Sequence, residues 1–305
     1  MKLRHVAVLS LLISSTAAAQ PVEIIDASGE TVFINSAERI IGLNGSTTVI
    51  LFALGLDANI VGCDASSTYP KNVQKKLPSV GYQYRLNAEG ILSLKPTLVI
   101  GREDVKPPQV VEQLRAGGVT MLLLKEPRTF DEAKQRLRTI GKAVNRKENA
   151  EALISDLEMQ VETLESKLAA REGLPKKKAL FLYLRGPQTA FVLGEDSAPG
   201  AMIEIVGAVN AAGNIKGTKP MTSEAVIAAQ PEVYVLFESG LKSIGGVEGL
   251  LKVPGLAQTP AGRNKRVVAM DGLYLSGFGP RCGRAALDLF RGIYEAEGLF
   301  AASGE

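Results

Sequence analysis

The sequence of residues 39–55, RIIGLNGSTTVILFALG, indicates how the fold is built. Residues 39–43 form a short apolar run that is typical of a buried strand. Residues 44–46 predict a turn that contains a helix-capping residue, and residues 47–55 predict a helix closed by a glycine. A strand followed at once by a helix predicts one unit of an α/β fold.

The same alternation continues on both sides of a long helical region. Strand patterns at residues 60–63, 98–100 and 119–124 each adjoin a helical pattern, which predicts a largely parallel sheet. Residues 130–143 and 147–170 carry apolar side chains at helical spacing between charged faces, and a second α/β segment begins at residue 179. We expect one lobe at residues 20–128, a stiff helical linker at 129–172 and a second lobe at 173–305. A coiled-coil seam is the alternative for the linker, but the heptads are few, so we expect a monomer.

One pattern occurs once in each predicted lobe. An acid, Glu89 or Glu224, is followed seven residues later by Pro96 or Pro231 and then by an apolar strand. Such joints are common, but their matching positions predict two lobes of like construction. Because ligands bind beyond the carboxyl ends of parallel strands, we expect a cleft between the lobes. Its predicted loops are residues 44–46, 64–82, 185–187 and 271–281.

The N-terminal segment predicts export. Residues 1–5 are a short basic start, residues 6–13 are mostly apolar, and residues 17–19 are small. These are the features of a secretory signal peptide, and the apolar run is too short for a membrane anchor. No cysteine follows at the position where a lipoprotein is acylated. We therefore expect cleavage after Ala19 and a periplasmic protein without a membrane anchor.

The composition after residue 19 excludes several kinds of site. Because Lys2 and Arg4 are removed, 33 basic residues face 32 acidic ones, and this balance does not favour nucleic acid or a membrane surface as partner. The only histidine, His5, is also removed, which excludes Ser-His-Asp catalysis, Cys-His catalysis and histidine metal sites. Cys63 and Cys282 remain, either as a disulfide or as two buried thiols.

Tyr69 precedes Pro70 in the loop of residues 64–82, so its backbone should be extended. Most loop tyrosines only pack or form a hydrogen bond. The alternative is metal ligation, because a phenolate is a hard oxygen donor and tyrosine serves as an axial ligand to haem iron. A free phenol has a pKa of about 10, so ligation needs the metal's charge and preferably a nearby cation. The cations on the predicted cleft loops are Lys71, Arg85, Arg185 and Arg281.

A second candidate segment is residues 271–281, DGLYLSGFGPR, between a strand at 266–270 and a helix expected from Pro280 to residue 296. A helix N-terminus beside Arg281 can bind a carboxylate, and Tyr274 and Phe278 offer flat apolar contact. By itself the segment fits a glycine-rich connection with a surface arginine. Together with Tyr69 it predicts a pocket for a flat, partly anionic ligand, and Tyr82 is a further predicted contact.

Four motifs in order carry a resemblance to a known family: residues 64–70 (DASSTYP), 77–82 (LPSVGY), 86–96 (LNAEGILSLKP) and 277–281 (GFGPR). They resemble the periplasmic haem-binding proteins of bacterial haem ABC importers, a branch of the class III substrate-binding proteins. The resemblance covers nearly all of the chain after residue 19. It implies two Rossmann-like α/β lobes joined by one long rigid helix, with haem held in the cleft between the lobes. Haem would be transported cargo, and the protein would not be an enzyme.

The resemblance also implies roles for particular residues. Tyr69 would be the axial ligand to the iron, and Glu89 and Glu224 would dock onto arginines of a permease dimer that works with an ATPase. Both acids equally fit ordinary helix N-terminal positions that the helix dipole favours. Some relatives stack two haems and use a histidine of the second lobe. Because this chain has no such histidine, we expect an arginine, Arg185 or another, to neutralise the phenolate or a haem propionate.

Three other functions remain open at this point. The chain could bind a ferric siderophore or vitamin B12 with the same fold. It could be a haem chaperone without a transporter. It could also be an exported α/β hydrolase that uses Ser66, Ser67, Asp64 or Glu195, although it lacks both the histidine and the Gly-x-Ser-x-Gly motif.

Overall fold

A computed structural model describes residues 20–186 and 189–304. The predicted signal peptide, residues 1–19, lies outside the described residues. Within the described part of the chain, no helix has both the length and the apolar character needed to cross a bilayer. The first sheet and its flanking elements comprise β1 (Val22–Ile25), β2 (Thr31–Ile34), β3 (Ile40–Gly42), α1 (Gly45–Ala53), β4 (Ile60–Cys63), α2 (Val73–Lys76), α3 (Ala88–Ser93), β5 (Leu98–Arg102), α4 (Gln109–Ala116) and β6 (Thr120–Leu124).

Two longer helices follow, and then the elements of a second sheet. The helices are α5 (Phe130–Ala143) and α6 (Lys147–Ala169). The remaining elements are β7 (Lys178–Leu184), β8 (Ala190–Leu193), α7 (Ala198–Ile205), β9 (Val209–Asn210), β10 (Thr218–Pro220), α8 (Ser223–Ala229), β11 (Val233–Phe237), α9 (Glu238–Ser243), α10 (Gly246–Leu250), a 3-10 turn (Leu256–Gln258), α11 (Pro260–Arg263), β12 (Val267–Met270), α12 (Gly272–Ser276), α13 (Cys282–Tyr294) and β13 (Leu299–Ala302). The predicted α/β fold class is confirmed.

Both sheets are built mainly from parallel strands. The first has the order β4-β3-β5-β6 and all its pairs are parallel. The second has the order β10-β8-β7-β11-β12-β13, with β9 also paired to β7, and only β8 and β10 run antiparallel to their neighbours. Strands β3, β5, β11 and β12 are almost wholly buried, as expected when helices cover both faces of a sheet.

The helix α6 contributes to the hydrophobic cores of both sheets. Ala150 and Ile154 pack into the core beneath the first sheet, whereas Leu157 and Leu164 pack into the core of the second. The helix before it, α5, begins with a capping box, because the Thr129 side chain accepts from the Glu132 amide and the Glu132 carboxylate accepts from the Thr129 amide. Helix α6 thus contributes to both cores.

The repeated sequence pattern has the same local structure in both sheets. Glu89 and Glu224 each occupy the second residue of a short helix, α3 or α8, whose preceding residue caps it by accepting a backbone N–H. Each helix ends in a left-handed residue with φ 48°, Lys95 or Gln230, that leads through a proline into β5 or β11. The internal match in the sequence is therefore a match in structure.

Several boundaries differ from the predictions, and local capping explains the differences. The first helix begins at Gly45 instead of residue 47, because Asn44 is the N-cap and its side chain accepts from the Thr47 amide. The loop at 271–281 contains the short helix α12, which Asp271 caps in the same manner. The loop at 64–82 likewise contains α2. Helix α13 begins at Cys282, just after Pro280, and ends at Tyr294.

Candidate ligand-binding site

Asp64 organises the loop that carries Tyr69. The carboxylate follows β4 directly and is fully buried. One of its oxygens accepts hydrogen bonds from the Ser66 amide (2.6 Å) and the Ser66 hydroxyl, and the other accepts from the Gln83 amide (2.7 Å). Burial raises the pKa of Asp64, and these hydrogen bonds act in the opposite direction. A single carboxylate thus ties the Tyr69 end of the loop to its Tyr82 end.

The base of this loop lies where elements of the two sheets meet. The Gly45 amide, at the start of α1, donates to the Ser66 hydroxyl (2.9 Å). A Cβ atom at Gly45 would lie 2.5 Å from the Ser66 carbonyl oxygen and 3.1 Å from the Leu273 side chain on α12. Because only glycine permits this approach, α1 contacts both the Tyr69 loop and the loop of residues 271–281.

Tyr69 and Arg281 are in direct contact. Tyr69 is half-buried, and the guanidinium carbon of Arg281 lies over its ring, 3.7 Å from the centroid. Among the described residues, no hydrogen-bond partner lies on the Tyr69 phenol oxygen, and no carboxylate lies within ion-pair distance of Arg281. Burial lowers the pKa of Arg281, and the neighbouring Tyr69 and Asp271 oppose that effect. The geometry therefore presents an unpaired phenol oxygen beside a guanidinium group.

Arg281 is supported from its other side. The Tyr274 ring lies 5.2 Å from the Arg281 guanidinium carbon, and the Arg281 Nη1 donates to the Gly304 carbonyl oxygen (2.9 Å). Tyr274 is buried, and its hydroxyl donates to the Asp288 carboxylate (2.8 Å). Burial, and then this hydrogen bond, raise the pKa of Tyr274. The structure thus places Tyr274 behind Arg281, and Phe278, only 1% exposed, lies in the core of the second sheet.

A groove of about 430 Å³ opens beside Tyr69. Its lining is mixed: apolar side chains such as Val49, Phe52 and Leu153 lie with Tyr69, and the charged residues are Arg281, Arg284, Asp57 and Asp156. The volume falls within the range of small-molecule sites, which combine apolar walls with a few placed polar groups. The groove therefore offers both apolar contact and charged groups of either sign beside Tyr69.

Tyr82 forms a second exposed aromatic surface on the first sheet. Its ring packs edge-to-face on Tyr84, with 5.2 Å between centroids, and remains 44% exposed. The Tyr84 hydroxyl donates to Asp104 (3.0 Å), which also pairs with Arg102 at 2.8 Å. Burial raises the pKa of Tyr84 to about 12, so it stays a neutral donor. This network fixes the position of the Tyr82 ring.

Tyr82, Arg85 and Arg185 are the exposed members of the predicted set of ligand contacts. Burial raises the pKa of Tyr82, Asp64 and Tyr183 add to the rise, and Arg102 and Arg185 oppose it. Arg185 is exposed at the end of β7. Arg85 is exposed in the same turn as Tyr82, and its amide donates to the Tyr82 carbonyl (2.7 Å). Of the predicted contacts, the structure thus brings Tyr69 and Arg281 together, whereas Tyr82, Arg85 and Arg185 are exposed.

The remaining predicted residues lie elsewhere. Glu89 and Glu224 are both exposed, and neither makes an ion pair with any described residue. Cys63 and Cys282 are both buried as free thiols, so of the two alternatives for them the structure has the pair of thiols.

Sequence reasoning missed the supporting groups Asp64, Asp104 and Gly304. Asp64 had a recognisable signal, because an Asp-x-Ser segment directly after a strand favours a side-chain-to-backbone turn. Asp104 and Arg102 follow β5 and could have been expected at the same sheet edge as Tyr82. No local signal indicated Gly304, because its contact with Arg281 joins residues 23 positions apart.

Comparisons with known proteins identify the family of this chain. The family model described as periplasmic binding protein matches residues 40–273. A solved structure, the apo form of the periplasmic heme-binding protein RhuT from Roseiflexus sp. RS-1, is 45% identical, with a TM-score of 0.80. That match covers 85% of this chain and 99% of the solved chain. The resemblance found in the sequence motifs is confirmed.

Two curated relatives are more distant. An uncharacterized ABC transporter substrate-binding lipoprotein, YvrC of Bacillus subtilis (strain 168), is 29% identical over 90% of this chain and 86% of its own length. The vitamin B12-binding protein of Yersinia pestis (strain Pestoides F) is 28% identical over 70% of this chain and 73% of its own length. The proteins similar in sequence to this chain therefore include binders of different ligands, heme and vitamin B12.

Proposed function

The chain belongs to the periplasmic binding protein family, and from that premise we propose that it captures haem in the periplasm and delivers it to an inner-membrane ABC permease. Haem is the cargo and leaves unchanged. The observation that carries this proposal is the phenol oxygen of Tyr69, which has no hydrogen-bond partner among the described residues, beside the guanidinium of Arg281.

The chemistry of this pair suits ferric haem. A tyrosinate is a hard anionic donor and a known axial ligand to haem iron. The guanidinium of Arg281 lies over the Tyr69 ring and places a positive charge beside this donor. Since the chain after residue 19 has no histidine, Tyr69 is the residue that we assign as the iron ligand. The 45% identity to a heme-binding protein supports the same ligand.

The arginines near the two tyrosines supply contacts for the propionates. Arg281 and Arg284 line the groove beside Tyr69, while Arg185 and Arg85 are exposed near Tyr82. Arginine binds carboxylates through two parallel hydrogen bonds, which orient a ligand as well as hold it. Tyr82 offers its exposed ring to the flat porphyrin. Tyr274 contributes from behind by supporting Arg281.

Docking to the permease is assigned to Glu89 and Glu224. Both carboxylates are exposed, are free of ion pairs with described residues, and occupy equivalent positions in the two halves. Two like-charged groups placed symmetrically can engage a two-fold symmetric partner with basic residues.

Two lobes at residues 20–128 and 173–305, joined by the helical segment 129–172, complete the proposal. Because α6 is packed into both cores, it resists a wide hinge motion. Release then requires a small separation of the lobes or a weakened bond to Tyr69 when the permease engages. Export is assigned to residues 1–19 as a signal peptide.

The test is a haem titration of residues 20–305 beside the variants Tyr69→Phe and Tyr294→Phe. Tyr294 is the matched control because its hydroxyl donates to the Gly207 carbonyl, away from the groove. We expect a high-spin ferric spectrum in the native protein and in the control, and its loss or alteration in Tyr69→Phe. An unchanged spectrum and affinity in Tyr69→Phe would remove Tyr69 as the ligand.

Vitamin B12 is the second candidate ligand, because one curated relative is a vitamin B12-binding protein. A titration with cyanocobalamin under the same conditions separates the two. Saturable cobalamin binding without a Soret band from added haem would favour the second candidate, and a ferric siderophore would be the next ligand to try.

A further inference from the structure

The last residue of β13 and the segment that follows it contact the loop of residues 271–281 at two points. The Asp271 amide donates to the Ala302 carbonyl oxygen (3.0 Å), and the Arg281 Nη1 donates to the Gly304 carbonyl oxygen (2.9 Å). The two bonds fall at the two ends of the loop. We call residues 302–304 the C-terminal strap.

The strap is fitted to the Tyr274 ring. Gly304 has φ +68°, a conformation that strains other residues, and a Cβ atom there would lie 2.5 Å from two atoms of the Tyr274 ring. The ring cannot move away easily, because its hydroxyl is bonded to Asp288 and it is only 2% exposed. Any side chain at position 304 therefore displaces the strap and, with it, the carbonyl that Arg281 bonds.

Few other contacts with the described residues restrain Arg281. None of those residues places a carboxylate within ion-pair distance, and Arg281 contacts two aromatic ring faces and the Gly304 carbonyl. The rings set the plane in which the guanidinium stacks. A hydrogen bond is directional, so the bond to Gly304 sets the position of the Arg281 guanidinium within that plane. The guanidinium carbon then lies 3.7 Å from the Tyr69 ring centroid.

We propose that the C-terminal strap is a positioning element for haem binding: Gly304 holds Arg281 over Tyr69 and thereby slows the dissociation of the ligand. The haem part of this statement rests on the proposed function, whereas the positioning of Arg281 does not. The stacked guanidinium restrains the Tyr69 ring, so an Arg281 that drifts away lets the ring turn out of the position from which it would bind the iron.

The test compares Gly304→Val with Arg281→Ala and with the double variant. Ser303→Ala is the matched control, because Ser303 lies in the same strap with an exposed side chain. The first readout is the rate at which bound haem passes to excess apomyoglobin. Loss of the cation–π contact between Arg281 and the Tyr69 ring should make haem dissociate roughly tenfold faster in Arg281→Ala. We expect haem to dissociate about threefold faster in Gly304→Val. The double variant should match Arg281→Ala, and the control should match the native protein.

The second readout needs no haem. In ligand-free protein labelled with 3-fluorotyrosine, the seven tyrosines give seven fluorine resonances, and that of Tyr69 is the one lost in Tyr69→Phe. Gly304→Val should shift this resonance in the same direction as Arg281→Ala, and Ser303→Ala should leave it in place. Gly304→Ala serves as a milder variant if the valine lowers the thermal unfolding temperature.

Two results would overturn the proposal. One is a Tyr69 resonance and a haem dissociation rate that are unchanged in Gly304→Val although Arg281→Ala changes both. The other is a double variant in which the two effects simply add, because that would mean Gly304 acts by a route other than Arg281. If the native protein takes up no haem, the proposed function fails, and the fluorine shift alone then decides the role of the strap.

Discussion

Replacing Asp64 by alanine should loosen the whole site without touching Tyr69. The buried amide of Gln83 loses its acceptor, which costs about 1–3 kcal/mol, and the half-buried amide of Ser66 loses its own, which costs about 1 kcal/mol. Removing the buried charge offsets part of this loss of stability, because burial raises the pKa of Asp64 and so disfavours the charged carboxylate in the folded state. We expect the free energy of unfolding to fall by about 1–3 kcal/mol in net.

Urea unfolding followed by circular dichroism measures this change, and Asp57→Ala is the control. Asp57 is exposed and lines the same groove, so its replacement should change the free energy of unfolding by less than about 0.5 kcal/mol. Amide hydrogen exchange should also quicken at Ser66 and Gln83 in the Asp64 variant. An Asp64→Ala protein as stable as the control, with native exchange at both amides, would refute the role of Asp64 as the tie between the two ends of the loop.

Three further outcomes are expected. Burial raises the pKa of Tyr234 to about 12, so the neutral phenol contributes its full stability below about pH 10, and this contribution is lost as the pH rises through 12. In urea titrations of the native protein, the free energy of unfolding should therefore decline over this pH range. Tyr234→Phe should make the decline smaller by about 2–3 kcal/mol. Because Cys63 and Cys282 are buried free thiols, a thiol reagent should modify neither in the native protein and both in urea, and a protein with no reactive thiols in urea would mean that they are paired. Replacing Glu89 and Glu224 together by arginine should abolish haem delivery to permease vesicles while leaving the haem affinity within about twofold, whereas a loss of affinity would place these acids in the binding site.

Local sequence chemistry determined the class of fold and the order of its elements. The apolar runs at residues 60–63 and 98–100 became β4 and β5, and the helical spacing at 130–143 became α5 at the same boundaries. These patterns succeed because burial of short apolar strands and of one helix face depends on neighbouring residues. The repeated acid–proline–strand pattern succeeded for the same reason, since capping, a left-handed residue and a proline all act within a few positions.

The internal arrangement of the site was decided by tertiary structure. The sequence alone named Tyr69 and Arg281 as candidates, but their stacking at 3.7 Å depends on packing between a loop of the first sheet and a loop of the second. The sequence also named Tyr274 as a ligand contact, which stays a prediction, and its bond to Asp288 and its close approach to Gly304 are contacts that only the tertiary structure supplies. Contacts between residues far apart in the chain depend on the joint geometry of many elements, and no local pattern encodes that geometry. Composition thus determined which donor atoms the chain can offer, and the fold decided which of them meet.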